Sequence, residues 1–149
     1  MRFHFICRGN AFRSRMAEAY LVSLKLPNVE VVSSGTVADT YRSENDPISR
    51  HAKVVLSKLG LLEFAKTRCD QLTQSRILPG DITICMNQRI FNECKDVVVL
   101  PNDAIVWGID DVDEHFTVHP EDEEIDRYAE QVFETIKKNV DILIQQHTS

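Results

Sequence analysis

The chain has 149 residues, 43% hydrophobic and 27% charged, with a formal net charge of -6. That length suits one domain with its own core and is too short to divide comfortably. The negative balance argues against general binding of nucleic acid or anionic membrane, although a local anion site can work against the overall field. No segment approaches the roughly 20 apolar residues of a membrane span. The start, Met1-Arg2-Phe3-His4-Phe5-Ile6-Cys7, has no secretory pattern. Cys7, Cys69, Cys85 and Cys94 follow no disulfide or zinc rhythm, so a cytoplasmic protein with reduced thiols is expected.

In chain order, Phe3-His4-Phe5-Ile6 predicts a short buried strand ending at Cys7, and Gly9 and Asn10 a polar turn. A helix starts near Arg13, with Met16, Tyr20 and Leu24 on one face, and ends at Pro27-Asn28. Val29 to Val32 is a second strand, with Ser33-Ser34-Gly35-Thr36 as a turn and residues 37–46 as loop. Pro47 suits the first turn of a helix carrying Ile48, Ala52, Val55 and Leu59, stopped by Gly60. Asp81 to Met86 is a third strand, Asn87 to Cys94 a short helix, and Val97 to Leu100 a fourth strand closed by Pro101. A long acidic loop from about Asn102 to Asp122 leads into a last helix with Ile125, Tyr128, Val132, Ile136, Val140 and Leu143 as its apolar stripe. Alternating strands and helices give a single α/β domain over residues 1–149, a four-stranded parallel sheet with helices on both faces. Such sheets bind ligands beyond the carboxyl ends of their strands, where Cys7 stands.

The segment Cys7-Arg8-Gly9-Asn10-Ala11-Phe12-Arg13-Ser14 carries the chemistry. A cysteine six positions before an arginine is weak evidence alone, but here it spans a strand-turn-helix junction. Loop amides and the helix dipole favour an anion there. They also favour the thiolate of Cys7 over its thiol. Arg13 can return to the same anion and hold two of its oxygens. A thiolate, amide donors and a guanidinium together suit phosphoryl transfer.

These residues resemble the loop C-x-G-N-x-x-R-S of the low-molecular-weight protein tyrosine phosphatases. Met16-Ala17-Glu18-Ala19, Ser33-Ser34-Gly35-Thr36, Asp46-Pro47, Gln71-Leu72-Thr73 and the strand run from Asp81 to Met86 continue the resemblance through almost the whole chain. It implies a phosphatase-I, flavodoxin-like fold and a phosphomonoesterase, a protein tyrosine phosphatase needing no cofactor or metal. Its substrates would be phosphorylated proteins or small phosphomonoesters. Cys7 would be the nucleophile, and Arg8, Gly9, Asn10, Ala11, Phe12, Arg13 and Ser14 the phosphate loop. Ser14 would donate to the Cys7 sulfur, and Asn10 would brace the loop by bonding to Ser33.

The resemblance also implies a general acid from an Asp-Pro pair before the last helix. Asp111 takes that position in Trp107-Gly108-Ile109-Asp110-Asp111-Val112-Asp113, with Val112 in place of proline, which leaves Asp110 and Asp113 as rivals. Other departures are Phe12 where the family often has a second, redox-active cysteine, the small Ala11, the extra cation Arg8, and Asn87 where the family has an aspartate that steadies the arginine. Tyr41 and Phe116 are candidates to line the cleft, whereas His4, His115 and His119 suggest no metal site. The alternatives are an arsenate reductase that relays oxidation through Cys85 and Cys94, and a phosphate-binding module without turnover. A threonine at the Ala11 position would mark a phosphoarginine-directed branch, so Ala11 speaks against one.

Overall fold

A computed structural model describes residues 1–148. Strand β1 (Arg2–Cys7) is central, flanked by β2 (Glu30–Gly35) and β3 (Ile82–Cys85), and β4 (Ile105–Val106) lies outside β3. Every pairing is parallel. The helices are α1 (Arg13–Ser23), α2 (Ala38–Asn45), α3 (Arg50–Lys58), α4 (Gln88–Cys94), α5 (Val112–His115) and α6 (Asp122–Thr148). Alternation along β1 divides the core. Phe3, Phe5 and Cys7 face the larger cluster, built with α1, α3 and α6, while Ile6 joins Leu72, Cys85, Ile90 and Cys94 on the α4 side. The α6 stripe buries Val132, Ile136, Val140 and Leu143 as its periodicity requires.

Several boundaries differ from the sequence reading. Ser33, Ser34 and Gly35 belong to β2, paired with Phe5, Ile6 and Cys7, and are not a turn. Both hydroxyls are satisfied by side chains, Ser34 by His4 at 2.9 Å and Ser33 by Asn10 at 2.9 Å, so a buried strand end reads as polar. Residues 38–45 form α2 rather than loop. Ala38 is its one buried residue, and Arg42 pairs with Asp39 at 2.6 Å, which leaves no apolar stripe to detect. Pro47 precedes α3 outside the helix, whose N-cap is Ser49.

Val97 to Leu100 is not a strand. The Val99 backbone is met by Gln74 instead, whose Oε1 accepts from Val99 N at 2.7 Å and whose Nε2 donates to Val99 O at 3.3 Å. The fourth strand is Ile105–Val106, inside the segment read as loop, and α5 also lies within it. Ladder-like bonds continue past β4, from Trp107 N to Cys85 O at 2.9 Å and from Ile109 N to Met86 O at 2.9 Å. They bring Asp110 and Asp111 back over the end of β1.

His4 sits fully buried in the central strand. Burial first, then the positive charge of Arg2, pushes its pKa down to about 3; Arg76 and Lys66 add to this and Asp81 opposes it. The unfolded chain takes up this proton near pH 6.5 and the folded chain only near 3, so acid favours unfolding across that window. His4 should cost up to about 1.4 kcal/mol of stability per pH unit as pH falls through it. Urea midpoints measured from pH 7 to 4 should fall less steeply in His4→Gln than in the wild type; equal slopes would reject this assignment.

Candidate active site

The loop after β1 is tied down on every side. Thr36 N donates to Cys7 O and Val37 N to Arg8 O, both at 3.0 Å, and Ser49 N donates to Ala11 O at 3.1 Å. Gly35 allows β2 to lie this close, because a Cβ there would stand 2.5 Å from Arg8 O and 2.7 Å from Asn10 N. Arg15, fully buried, donates to Asn10 O at 3.2 Å, to Pro47 O at 2.7 Å and to Lys66 O. It clamps the loop against the start of α3, a role that its place on a helix face did not disclose.

Asn10 takes a left-handed conformation, φ 55°, which asparagine tolerates better than most residues. Its Oδ1 accepts from Asp70 N at 2.8 Å, so its Nδ2 faces Ser14 Oγ at 2.8 Å and Ser33 Oγ at 2.9 Å. Each serine thus accepts from Asn10 and has one hydrogen left. Ser33 gives its hydrogen to Glu18 at 2.9 Å, and Ser14 gives its own to Cys7 Sγ at 2.9 Å. The hydroxyl therefore reaches the sulfur as a donor, the arrangement a sulfur anion accepts.

A cavity of about 110 Å³ opens over this sulfur, lined by Cys7, Gly9, Ala11, Phe12, Arg13 and, at its rim, Asn45, Ser49, His51 and Asp111. Arg13 is 1% exposed. Its Nη1 donates to Ile109 O at 2.9 Å, while its Nε is buried with no partner among the described residues. Asp111 Oδ2 lies 3.7 Å from Arg13 Nη2. Asp111 is also the N-cap of α5, accepting from Val112 N at 2.8 Å. Asp110 turns away to accept from Asn87 Nδ2 at 3.1 Å. Asp113 lines a different cavity, with Phe116 and Val118. Of the three aspartates, Asp111 alone lines the cavity above Cys7.

The other candidates fall elsewhere. The Arg8 guanidinium pairs with Glu93 at 3.2 Å and stands over the Tyr41 ring, beside the lining of this cavity rather than in it. Phe116 packs against His115 and Tyr128. The small Ala11 lines the cavity and packs with Ala38 and Cys69. Cys85 and Cys94 are both fully buried, and the neighbouring Cys85 thiol together with burial raises the Cys94 pKa strongly. That pair offers no exposed thiol for an oxidation relay.

His51 and Glu114, neither singled out in the sequence, also meet at the site. Phe12 packs edge-on against His51 at 4.4 Å, and His51 Nε2 is buried without a partner among the described residues. Burial lowers the His51 pKa, against the pull of Asp111. Glu114 Oε1 accepts from Asp111 N at 2.9 Å and lies 3.6 Å from Arg13 Nη1. Burial works against its charge, yet the Asp111 N–H, Arg13, Asn87 and Arg89 together hold its pKa below the usual value. A capping-box pattern, Asp111 with Glu114 three residues on, was the available signal for Glu114; the lone His51 carried none.

The family model for low molecular weight phosphotyrosine protein phosphatase matches residues 2–148. A curated relative from Geobacillus stearothermophilus, named protein-arginine-phosphatase, is 42% identical over 76 residues. That match takes in 51% of this chain and 47% of the relative, about half of each. Among solved structures, a low molecular weight phosphotyrosine phosphatase from Vibrio cholerae O395 superposes with a TM-score of 0.74 at 18% identity, covering 100% of this chain and 99% of its own. A thioredoxin-dependent arsenate reductase from Corynebacterium glutamicum gives 0.64 at 24% identity, covering 99% of this chain and 63% of its own. At those identities the structural likenesses establish the fold.

Proposed function

We propose that this chain, which belongs to the low molecular weight phosphotyrosine protein phosphatase family, hydrolyses phosphate esters of protein side chains through a phosphocysteine on Cys7. The observation that carries this reading is the meeting of Cys7, Arg13 and Asp111 in one cavity, with the Ser14 hydroxyl donating to the sulfur. Cys7 Sγ attacks phosphorus while Arg13 holds phosphoryl oxygens, and the bond from phosphorus to the leaving oxygen breaks. Asp111 gives that oxygen its proton and so becomes a carboxylate. It then takes a proton from water as the water oxygen attacks phosphorus, and the P–S bond breaks to release inorganic phosphate and the Cys7 thiolate. The reading places the enzyme in the cytoplasm, where its thiol stays reduced.

Phosphotyrosine is the substrate class proposed first. A second reading, phosphoarginine, is favoured by the Geobacillus relative's name and by a rim of the polar residues Asn45, Ser49 and His51. Hydrolysis of matched phosphotyrosine and phosphoarginine peptides separates the two. The expected result is a kcat/KM at least about tenfold higher for phosphotyrosine, a margin of about 1.4 kcal/mol in transition-state binding. The opposite ratio would assign the enzyme to phosphoarginine, and turnover of neither peptide nor p-nitrophenyl phosphate would leave only a phosphate-binding module.

A further inference from the structure

Two departures from the family pattern remove constraints on the reacting groups: Val112 stands where a proline would aim the acid, and Asn87 where a carboxylate would steady the arginine. Both vacated tasks converge on one side chain. Glu114 Oε1 accepts the Asp111 N–H at 2.9 Å and lies 3.6 Å from Arg13 Nη1, while Oε2 lies 3.6 Å from Arg89 Nη1. Asn87 Nδ2 donates to both oxygens, at 3.1 and 3.2 Å, while Asn87 Oδ1 caps α4 by accepting from Ile90 N. A carboxylate at position 87 would meet Glu114 as a like charge at this distance, whereas the amide meets it as a donor. The negative charge has in effect moved from position 87 to position 114.

Resting on the phosphatase reading above, we propose that Glu114 is a positioning residue for both halves of the reaction, setting the phosphate-binding guanidinium of Arg13 and the proton-donating carboxyl of Asp111 at once. The Asp111 side chain and the Glu114 side chain close a reciprocal capping box around a helix of only four residues. This replaces the fixed φ of a proline with two hydrogen bonds. The same carboxylate keeps Arg13 turned towards Ile109 O and the cavity. Tyr128, donating to Asp110 O at 2.6 Å, holds the other side of this corner.

The test is a charge swap. Glu114→Gln keeps the volume and removes the charge, and Glu114→Gln combined with Asn87→Asp returns the charge to the other partner. Three readouts are compared: inhibition by inorganic phosphate, turnover of p-nitrophenyl phosphate, and turnover of phenyl phosphate, whose leaving group needs its proton more. Glu114→Gln should weaken phosphate inhibition about tenfold, the scale of a lost charge-assisted contact. It should also slow phenyl phosphate about tenfold more than p-nitrophenyl phosphate, because a misplaced acid is felt most by the poorer leaving group. The double variant should recover phosphate inhibition to within about threefold of wild type. A residue needed only for stability would lower all three readouts together and would not be rescued by the second substitution. The proposal is overturned if Glu114→Gln leaves phosphate inhibition unchanged, if both esters slow equally, or if the double variant matches the single one. Should the wild type turn over neither ester, the phosphatase reading fails, and phosphate binding by the same variants still decides whether Glu114 sets Arg13.

Discussion

Replacing Cys7 by serine is expected to cut p-nitrophenyl phosphate turnover by roughly 10⁴-fold or more while leaving phosphate binding in place, the loss typical of removing an enzyme's nucleophile. The hydroxyl replaces the sulfur at the end of β1 with little change of shape, and the Ser14 donor and Arg13 remain to hold the anion. An alcohol at this place is a far weaker nucleophile, because its anion forms much less readily than a thiolate. Calorimetric titration with phosphate, alongside the rate assay, separates loss of chemistry from loss of the site. A variant that kept substantial turnover would remove Cys7 from the reaction, and one that lost both properties would show that the loop itself had collapsed.

Asp111→Asn is the second large effect. Removing a general acid costs about 10² to 10⁴ in rate, and the cost grows as the leaving group becomes more basic. The amide keeps an oxygen able to cap Val112 N, so α5 should persist and the loss should be chemical. Phenyl phosphate should therefore suffer strongly and p-nitrophenyl phosphate less, with phosphocysteine accumulating because the same carboxylate activates water in the second step. Asp110→Asn and Asp113→Asn are the controls. Asp110 is occupied by Asn87 and Asp113 faces another cavity, so each should stay within about threefold of wild type, as residues outside the reacting shell do. A larger loss from Asp113→Asn would transfer the acid role to that residue.

The parts of this fold that could be read from sequence are those where apolar periodicity and local chemistry agree. Phe3 to Ile6, the turn at Gly9 and Asn10, and the stripe along α6 are of that kind, and the phosphate loop runs from the first of them through the second into α1. The reading failed where polar groups are satisfied across the chain. Ser33 and Ser34 look like a turn until His4 and Asn10 are brought against them, and Val99 looks like a strand residue until Gln74 takes its backbone bonds. For α2, salt bridges and a single buried alanine leave no pattern to find. At the site, Cys7, Arg13 and Asp111 carry local signatures. Arg15 and His51 gain their places only through packing, at the α3 edge and against Phe12.

The order of donors around Asn10 fixes which way each hydroxyl behind the sulfur points. Both amide hydrogens of Asn10, the Ser33 hydrogen and the Ser14 hydrogen are each already committed to a partner. The hydrogens behind the sulfur thus run toward it and toward Glu18, and neither serine has a second hydrogen with which to reverse that order. An Asn10→Ala change would therefore leave both hydroxyls free to rotate, and the sulfur would lose the fixed orientation of its Ser14 donor.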